Sequence, residues 1–289
     1  MKIRTLLKSF DPGQCGGQKG SSITHCLVKL LHFIHSYLDL KQPHAVLLAL
    51  IDLEKAFNRV SHQLVVEDLA DMHVPGWLLL ILISYLTGRS MHMRYKGATS
   101  SKRFLPGSSP QGAFLGILLF IIIFNGALLR PAIPRPHSLN LKYIDDLSML
   151  YALNLKTCLV EDPLERPKPL KFDERTQQIL KSSVNVLQSD LNELFQFVSK
   201  KQLKIKEKKS ELIKFNFSKN HDFPPEFEIN GFDQILEVTQ QTKLLGIILT
   251  NDLKWESNTD YICTRAYQKI YILMRLKKLD MEPLLMLDV

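Results

Sequence analysis

Two places in this chain put aspartates where an apolar segment meets a turn. Residues 45–53 are almost uninterruptedly apolar, yet the stretch ends on Asp52. Residues 139–143 and 147–151 read as strands on either side of Ile144-Asp145-Asp146, a hairpin with its acids at the tip. An apolar run this short suits a central strand covered on both faces, so a carboxylate at its end requires an explanation. Acids at the end of one strand and the tip of a neighbouring hairpin can converge on two divalent cations roughly 4 Å apart, the pair that nucleotidyl transfer uses. Magnesium is a hard cation and takes oxygen ligands, usually one or two protein carboxylates completed by water and phosphate. On residue types alone, a plain solvent-exposed turn stays open for Asp145-Asp146, because aspartate favours turns through local hydrogen bonds.

The elements that must carry these acids follow from periodicity and turn chemistry. Near the N-terminus, the turn Gly16-Gly17-Gln18-Lys19-Gly20 precedes Ser21-Ser22 and a helix with Leu27, Leu30, Leu31, Ile34 and Leu38 at helical spacing. Ser61 can cap a helix through Met72, and Pro75-Gly76 separates it from a second helix ending near Gly88. Residues 91–104 are strand-like and basic, residues 107–112 form a loop, and the apolar run 113–124 suits a buried helix. Residues 155–175, with three prolines, read as a surface connector. From Leu180 onward, Val184, Leu187, Leu191, Leu194 and Val198 make one stripe on a helix expected to lie against the sheet. Residues 200–214 hold seven lysines and two glutamates, and residues 211–217 alternate like a half-exposed strand. Asn230-Gly231 marks a turn, residues 244–248 a further strand, and residues 261–279 a basic helix with Arg265, Lys269, Arg275, Lys277 and Lys278.

With 289 residues and 45 % hydrophobic content, the chain has material for a real core in one large or two modest domains, which argues against disorder. Its 37 Lys and Arg exceed its 29 Asp and Glu, and the resulting +8 favours anionic partners. Cys15, Cys26, Cys158 and Cys263 contain no C-x-x-C pair, so free thiols in a reducing compartment are expected in place of a zinc site or disulfide framework. Residues 1–10 lack the apolar core and cleavage site of a secretory signal. The apolar stretches 77–86 and 113–124 fall short of the roughly 18 to 20 residues that cross a bilayer. Both are expected as buried core, and the chain as intracellular without stable membrane association.

Three blocks, Ile51-Asp52-Leu53-Glu54-Lys55-Ala56-Phe57, Ser109-Pro110-Gln111-Gly112 and Tyr143-Ile144-Asp145-Asp146, occur in the order and approximate spacing of reverse transcriptases. The chain most resembles those of LINE-type, non-LTR retrotransposons. Further blocks match: Gln14-Cys15-Gly16-Gly17 with Lys19-Gly20-Ser21-Ser22, Leu203-Lys204-Ile205 through Lys209-Ser210-Glu211, and Leu244-Leu245-Gly246. The likeness runs over nearly the whole chain. It implies an α+β fold: a ferredoxin-like palm, mostly antiparallel sheet backed by helices, with partial fingers and the start of a thumb. Residues 1–44 would be partial fingers, 45–235 the palm with remaining finger elements, and 236–289 the palm end and a truncated thumb, all one reverse transcriptase domain.

The resemblance also implies roles. The activity would be RNA-directed DNA polymerisation, joining dNTP to a primer 3′-hydroxyl on an RNA template with two Mg2+ ions. Asp52 and Asp145 would bridge both metals, Asp146 would be a weaker or indirect ligand, and the Leu53 carbonyl a further one. The backbone of Leu53, Glu54, Lys55 and Ala56 would lie beneath the triphosphate. Phe57 would be a steric gate that excludes a 2′-hydroxyl, although a plain core phenylalanine remains open. Gln111 would line the nucleotide pocket. Lys209, in competition with Lys208, would donate a proton to the leaving pyrophosphate. The basic helix would follow nucleic-acid phosphates, and nuclear action would be expected. Protein partners are not implied.

Some positions depart from the pattern. Gly17-Gln18-Lys19 stands where many relatives have Gly-Phe-Arg, leaving Lys19 as a point charge without the two-pronged geometry of arginine. Asn58, Ala113 and Ile144 also differ, and none removes a metal ligand. The chain begins just before the second finger block and stops inside or just before the thumb, so a fragment of a longer element is expected. An RNA-dependent RNA polymerase would share the palm carboxylates but generally has aspartate where Phe57 stands. A catalytically silent nucleic-acid-binding remnant is the alternative from another class, and a membrane-associated basic protein rests only on residues 113–124 and net charge.

Overall fold

The apolar run that leads to Asp52 is unbroken because both of its faces are covered. In β1 (His44–Ile51), Ala45, Leu47, Ala49 and Ile51 face one layer, and Val46 and Leu48 face the other, all buried. This is the two-residue alternation of a strand with no solvent side. The computed structural model describes residues 11–40, 44–105, 107–109, 114–125, 137–154, 172–217 and 235–279; for His44, Phe114, Asn154 and residues 172–185 it describes the backbone alone.

Antiparallel to β1 run β7 (Asp146–Asn154) on one side and β8 (Glu211–Asn216) on the other. β6 (Ser138–Tyr143) joins β7 antiparallel, and β9 (Glu237–Thr239) joins β8 parallel, giving the order β6-β7-β1-β8-β9. The α+β architecture expected from the sequence is the one found: a mostly antiparallel sheet between helices. One face meets α4 (Phe114–Phe124) and α5 (Phe172–Lys200), with α2 (His62–Asp71) and α3 (Gly76–Leu86) beside them. The opposite face meets α1 (Ile23–Leu38) through Cys26, Leu30 and Ile34, and a hairpin of β10 (Gln241–Leu244) and β11 (Ile247–Thr250) through Leu244 and Leu249.

Local chemistry sets the element ends. Ser22 caps α1 by accepting the His25 amide at 3.3 Å, and Ser61 caps α2. Leu187, Leu191, Leu194 and Val198 are all buried. Fully burying each contributes about 2 kcal/mol, enough to dock an otherwise polar helix. That helix starts at Phe172, inside the stretch the sequence assigns to a connector.

Other expectations change. The residues read as one strand at 244–248 are split, because Leu245 (φ 47) and Gly246 (φ 91) form a two-residue hairpin turn. The 91–104 stretch is two short ribbons, β2 (Ser90–Met91) with β5 (Arg103–Phe104), and β3 (Arg94–Tyr95) with β4 (Ala98–Thr99). β8 is not half-exposed as its alternation suggests: Leu212 is buried in one core layer and Ile213 and Phe215 in the other, because a packed layer lies on each face of the sheet. The basic C-terminal helix, α6 (Glu256–Lys278), begins five residues before Tyr261. Of the two apolar stretches expected in the core, α4 is buried from Leu119 to Phe124, but α3 leaves Trp77, Leu80 and Ile81 more than half exposed. α3 packs Leu78, Leu79, Leu82, Tyr85 and Leu86 inward, and those suffice to dock it. Among the described residues no helix is long and apolar enough to cross a membrane. Cys15, Cys26 and Cys263 are free thiols; Cys158 and the Asn230-Gly231 turn lie outside the described residues.

Candidate active site

Strand register brings the acids into one row. Ile51 and Leu147 are the last ladder pair of β1 and β7, and one step further the same register sets Asp52 opposite Asp146. On the other side β8 begins at Glu211, paired with Leu50, and the 3-10 turn Glu207–Lys209 just ahead of it brings Lys209 to the same cleft as Asp52. Asp146, Asp52 and Lys209 line a cleft of about 400 Å³ together with Glu211, Thr242 and Lys243. Tyr143 pairs with Asp146, which leaves Ile144-Asp145 as a two-residue turn. Ile144 holds φ at 62°, an unusual conformation for a β-branched residue that costs about 1–3 kcal/mol and needs support from its surroundings.

Asp145 and Asp146 sense the neighbouring acids. Desolvation pushes the Asp145 carboxyl above its ordinary value, and the charge of Asp52 adds to the effect. Asp146 is an exposed residue, yet partial desolvation, then Asp145, then Asp52 push its carboxyl up to about 6. Like charges gathered this way are costly until a cation neutralises them. Among the described residues no three His, Cys, Asp or Glu side chains form a ready chelate for one ion. The donor set nevertheless fits a hard divalent cation, which needs only one or two protein carboxylates.

Asp52 is fixed through its backbone. Its carbonyl accepts the Lys206 amide at 2.7 Å, the Glu54 amide donates to the Lys204 carbonyl at 2.7 Å, and Leu53 and Ile205 form an antiparallel bridge between them. This bridge leaves the Leu53 carbonyl out. The buried Ser210 hydroxyl accepts the Asp52 amide at 3.2 Å and lies 3.2 Å from the Lys206 carbonyl, to which it donates. The Glu54 carboxylate lies 3.4 Å from Lys204 and 3.5 Å from Arg59. Lys55 then turns the chain at φ 50° into a short 3-10 helix, Ala56–Arg59, with Ala56 buried.

Phe57 is half-buried. Its ring centroid lies 5.1 Å from that of Phe120 on α4, and its carbonyl accepts the Ser109 amide at 2.7 Å. Lys19 is exposed on the loop that precedes α1. Gln111 lies outside the described residues. Lys209 lines the cleft and shares a single turn, Glu207–Lys209, with Lys208.

Sequence reasoning passed over three residues. Ser210 appeared only as the neighbour of Lys209, and its hydroxyl role depends on β8 lying beside β1. Lys243 lines the cleft and stands 4.8 Å from the Tyr261 ring. Lys142 is wholly buried on β6. Alternation with Leu139 and Leu141 puts it on the polar face of the strand with Ser138 and Asn140, so no signal in the sequence shows that this face is covered.

Comparison with known proteins agrees with this architecture. The family described as "Reverse transcriptase (RNA-dependent DNA polymerase)" matches residues 1–249. A relative from Drosophila melanogaster, "Probable RNA-directed DNA polymerase from transposon BS", is 26 % identical over 275 residues, 93 % of this chain. The chain spans 27 % of that relative's length. Among solved structures, apo telomerase from Candida tropicalis, truncated from its C-terminal domain, is similar in fold with a TM-score of 0.51. That match has 11 % identity and covers 87 % of this chain and 43 % of the telomerase chain. With the family match extending over most of its length, the chain belongs to the reverse transcriptase family.

Proposed function

We propose that this chain is the catalytic palm of an RNA-directed DNA polymerase of LINE type, extending a primer 3′-hydroxyl with dNTP on an RNA template. The observation that carries this reading is the gathering of Asp52, Asp145 and Asp146 at the ends of adjacent strands, with the carboxyls of Asp145 and Asp146 pushed up, in a chain of this family. Asp52 and Asp145 would hold two Mg2+ ions, with Asp146 and the Leu53 carbonyl as further ligands. When bound, such ions activate the attacking hydroxyl and neutralise the leaving pyrophosphate.

The protein's own groups do the rest. The Leu53 to Ala56 backbone, held by the bridge to Ile205, offers a fixed floor for the triphosphate, and Lys19 adds a positive charge beside it. Lys209 donates a proton to the departing pyrophosphate. Phe57 bars a 2′-hydroxyl, and Gln111 lines the nucleotide pocket. Residues 1–44 serve as partial fingers, 45–235 as palm with finger elements, and 236–289 as palm end and thumb start. The basic α6 contacts the phosphates of the template and primer, a sequence-independent attraction. A nuclear site of action fits the LINE-type reading.

The test is primer extension on an RNA template with Mg2+ and either dNTP or rNTP, with Asp145→Asn as control. Extension with dNTP that is lost in Asp145→Asn is expected. Equal background from both proteins would sink the reading in favour of a silent nucleic-acid-binding remnant, and a clear rNTP preference would favour an RNA polymerase.

A further inference from the structure

β6 buries a lysine on the face that its alternation leaves polar, beside Ser138 and Asn140. Leu139 and Leu141 pack toward α1, so Lys142 points to the opposite layer, and its side chain is fully buried. A charge so placed must be paired to be tolerated. The Lys142 ammonium stands 2.6 Å from the Asp11 carboxylate, 3.3 Å from the Phe124 carbonyl and 3.4 Å from the Asn125 carbonyl. Those carbonyls close the C-terminal end of α4, the negative end of a helix. The ammonium also lies 5.5 Å from the Phe124 ring centroid. One side chain thus ties together β6, the end of α4 and the loop at Asp11.

That loop is built around the same strand. The Lys142 amide donates to the Gly13 carbonyl at 2.9 Å, and the Cys15 amide donates to the Lys142 carbonyl at 2.7 Å, so Gln14 bridges β6 in parallel. Asp11 closes the loop by accepting the Gly13 amide at 2.8 Å, and its own amide donates to the Asn125 side chain at 2.9 Å. The loop then runs against the acidic turn. A Cβ on Gly16 would stand 2.7 Å from both the amide nitrogen and Cγ1 of Ile144, the residue held at φ 62° just before Asp145. A Cβ on Gly13 would stand 2.3 Å from the Asn140 carbonyl oxygen. Glycine at both positions lets the strap lie flat on β6 and back up a strained turn.

We propose that Lys142 is a positioning residue for the acidic turn: by pinning Asp11 and the end of α4 to β6, it holds the strap at residues 11–16 against Ile144 and so fixes where Asp145 and Asp146 present their carboxylates to a divalent cation. The activity side of this inference rests on the polymerase reading; the metal-binding side does not.

The test uses Mn2+ as the probe, with affinity read by electron paramagnetic resonance, alongside thermal melting and steady-state primer extension. Asp11→Asn with Lys142→Met removes both charges at similar volume, an exchange that buried ion pairs often tolerate. The double variant is expected to melt cooperatively, to bind Mn2+ about tenfold more weakly, and to lose about tenfold in kcat with KM for dNTP little changed. A folded double variant that binds Mn2+ and turns over like the parent overturns the proposal. Should the double variant fail to fold, Gly16→Ala presses on Ile144 without touching the ion pair, and the same readouts decide: weakened Mn2+ binding supports the proposal and unchanged binding overturns it. If the parent protein binds Mn2+ but makes no product, the polymerase reading fails while the Mn2+ comparison still decides the role of Lys142; if the parent binds no Mn2+, both fall.

Discussion

The Ser210 hydroxyl accepts the backbone amide of Asp52 across 158 positions of sequence, at 3.2 Å, and is itself buried. It ties the first residue of β8's approach to the carboxylate that ends β1. Ser210→Ala should therefore cost only about 1 kcal/mol in unfolding free energy, the net worth of an ordinary hydrogen bond. Its effect on turnover should be larger, about tenfold in kcat, because a small displacement of Asp52 is felt at the reacting atoms. Equal losses in stability and none in kcat would reduce Ser210 to a packing role.

Phe57 packs its ring at a tilt against Phe120 and remains half-buried, so its two readings make different forecasts. Phe57→Ala should destabilise by about 2 kcal/mol, less than a fully buried phenylalanine would. As a gate it should also raise rNTP incorporation relative to dNTP. Competition assays with both nucleotides check this, and an unchanged ratio in a folded variant would leave Phe57 as core alone.

Lys209 lines the same cleft as Asp52, whereas Lys208 is its neighbour in the same turn. Lys209→Ala should lower kcat on the order of 100-fold, the usual worth of a general acid, with primer binding preserved. Lys208→Ala should leave kcat near the parent value. The reverse order, measured by single-turnover extension, would reassign the proton donor.

For the metal-free protein, Asp146 makes stability depend on pH. Its folded-state pKa is raised from 3.8 to about 6, so the folded chain holds a proton that the unfolded chain releases. The contribution is absent below 3.8, becomes increasingly destabilising as pH rises toward about 6, and is constant above that. Asp146→Asn should raise the melting temperature of the metal-free protein at neutral pH, and the gain should shrink as pH falls through 6 toward 4. Calorimetry at several pH values checks this, and a gain independent of pH would show that charge is not the cause.

The sequence alone determined the strand that ends at Asp52, the hairpin that offers Asp145 and Asp146, the stripe on α5 and the family. These signals are local, set by alternation, helical spacing and motif order. The unbroken apolar run also placed α4 in the core, but the same kind of run could not say that α3 would leave Trp77 and Leu80 exposed, because a helix apolar all round does not specify which side finds a neighbour. Register was equally out of reach. Only the packed sheet decides that Asp146, Asp52 and Lys209 share a cleft, that Ser210 reaches Asp52, and that Lys142 meets Asp11 inside the core. Those contacts join residues far apart in the chain, and the free energy that selects them belongs to the packed sheet as a whole, not to any segment read by itself.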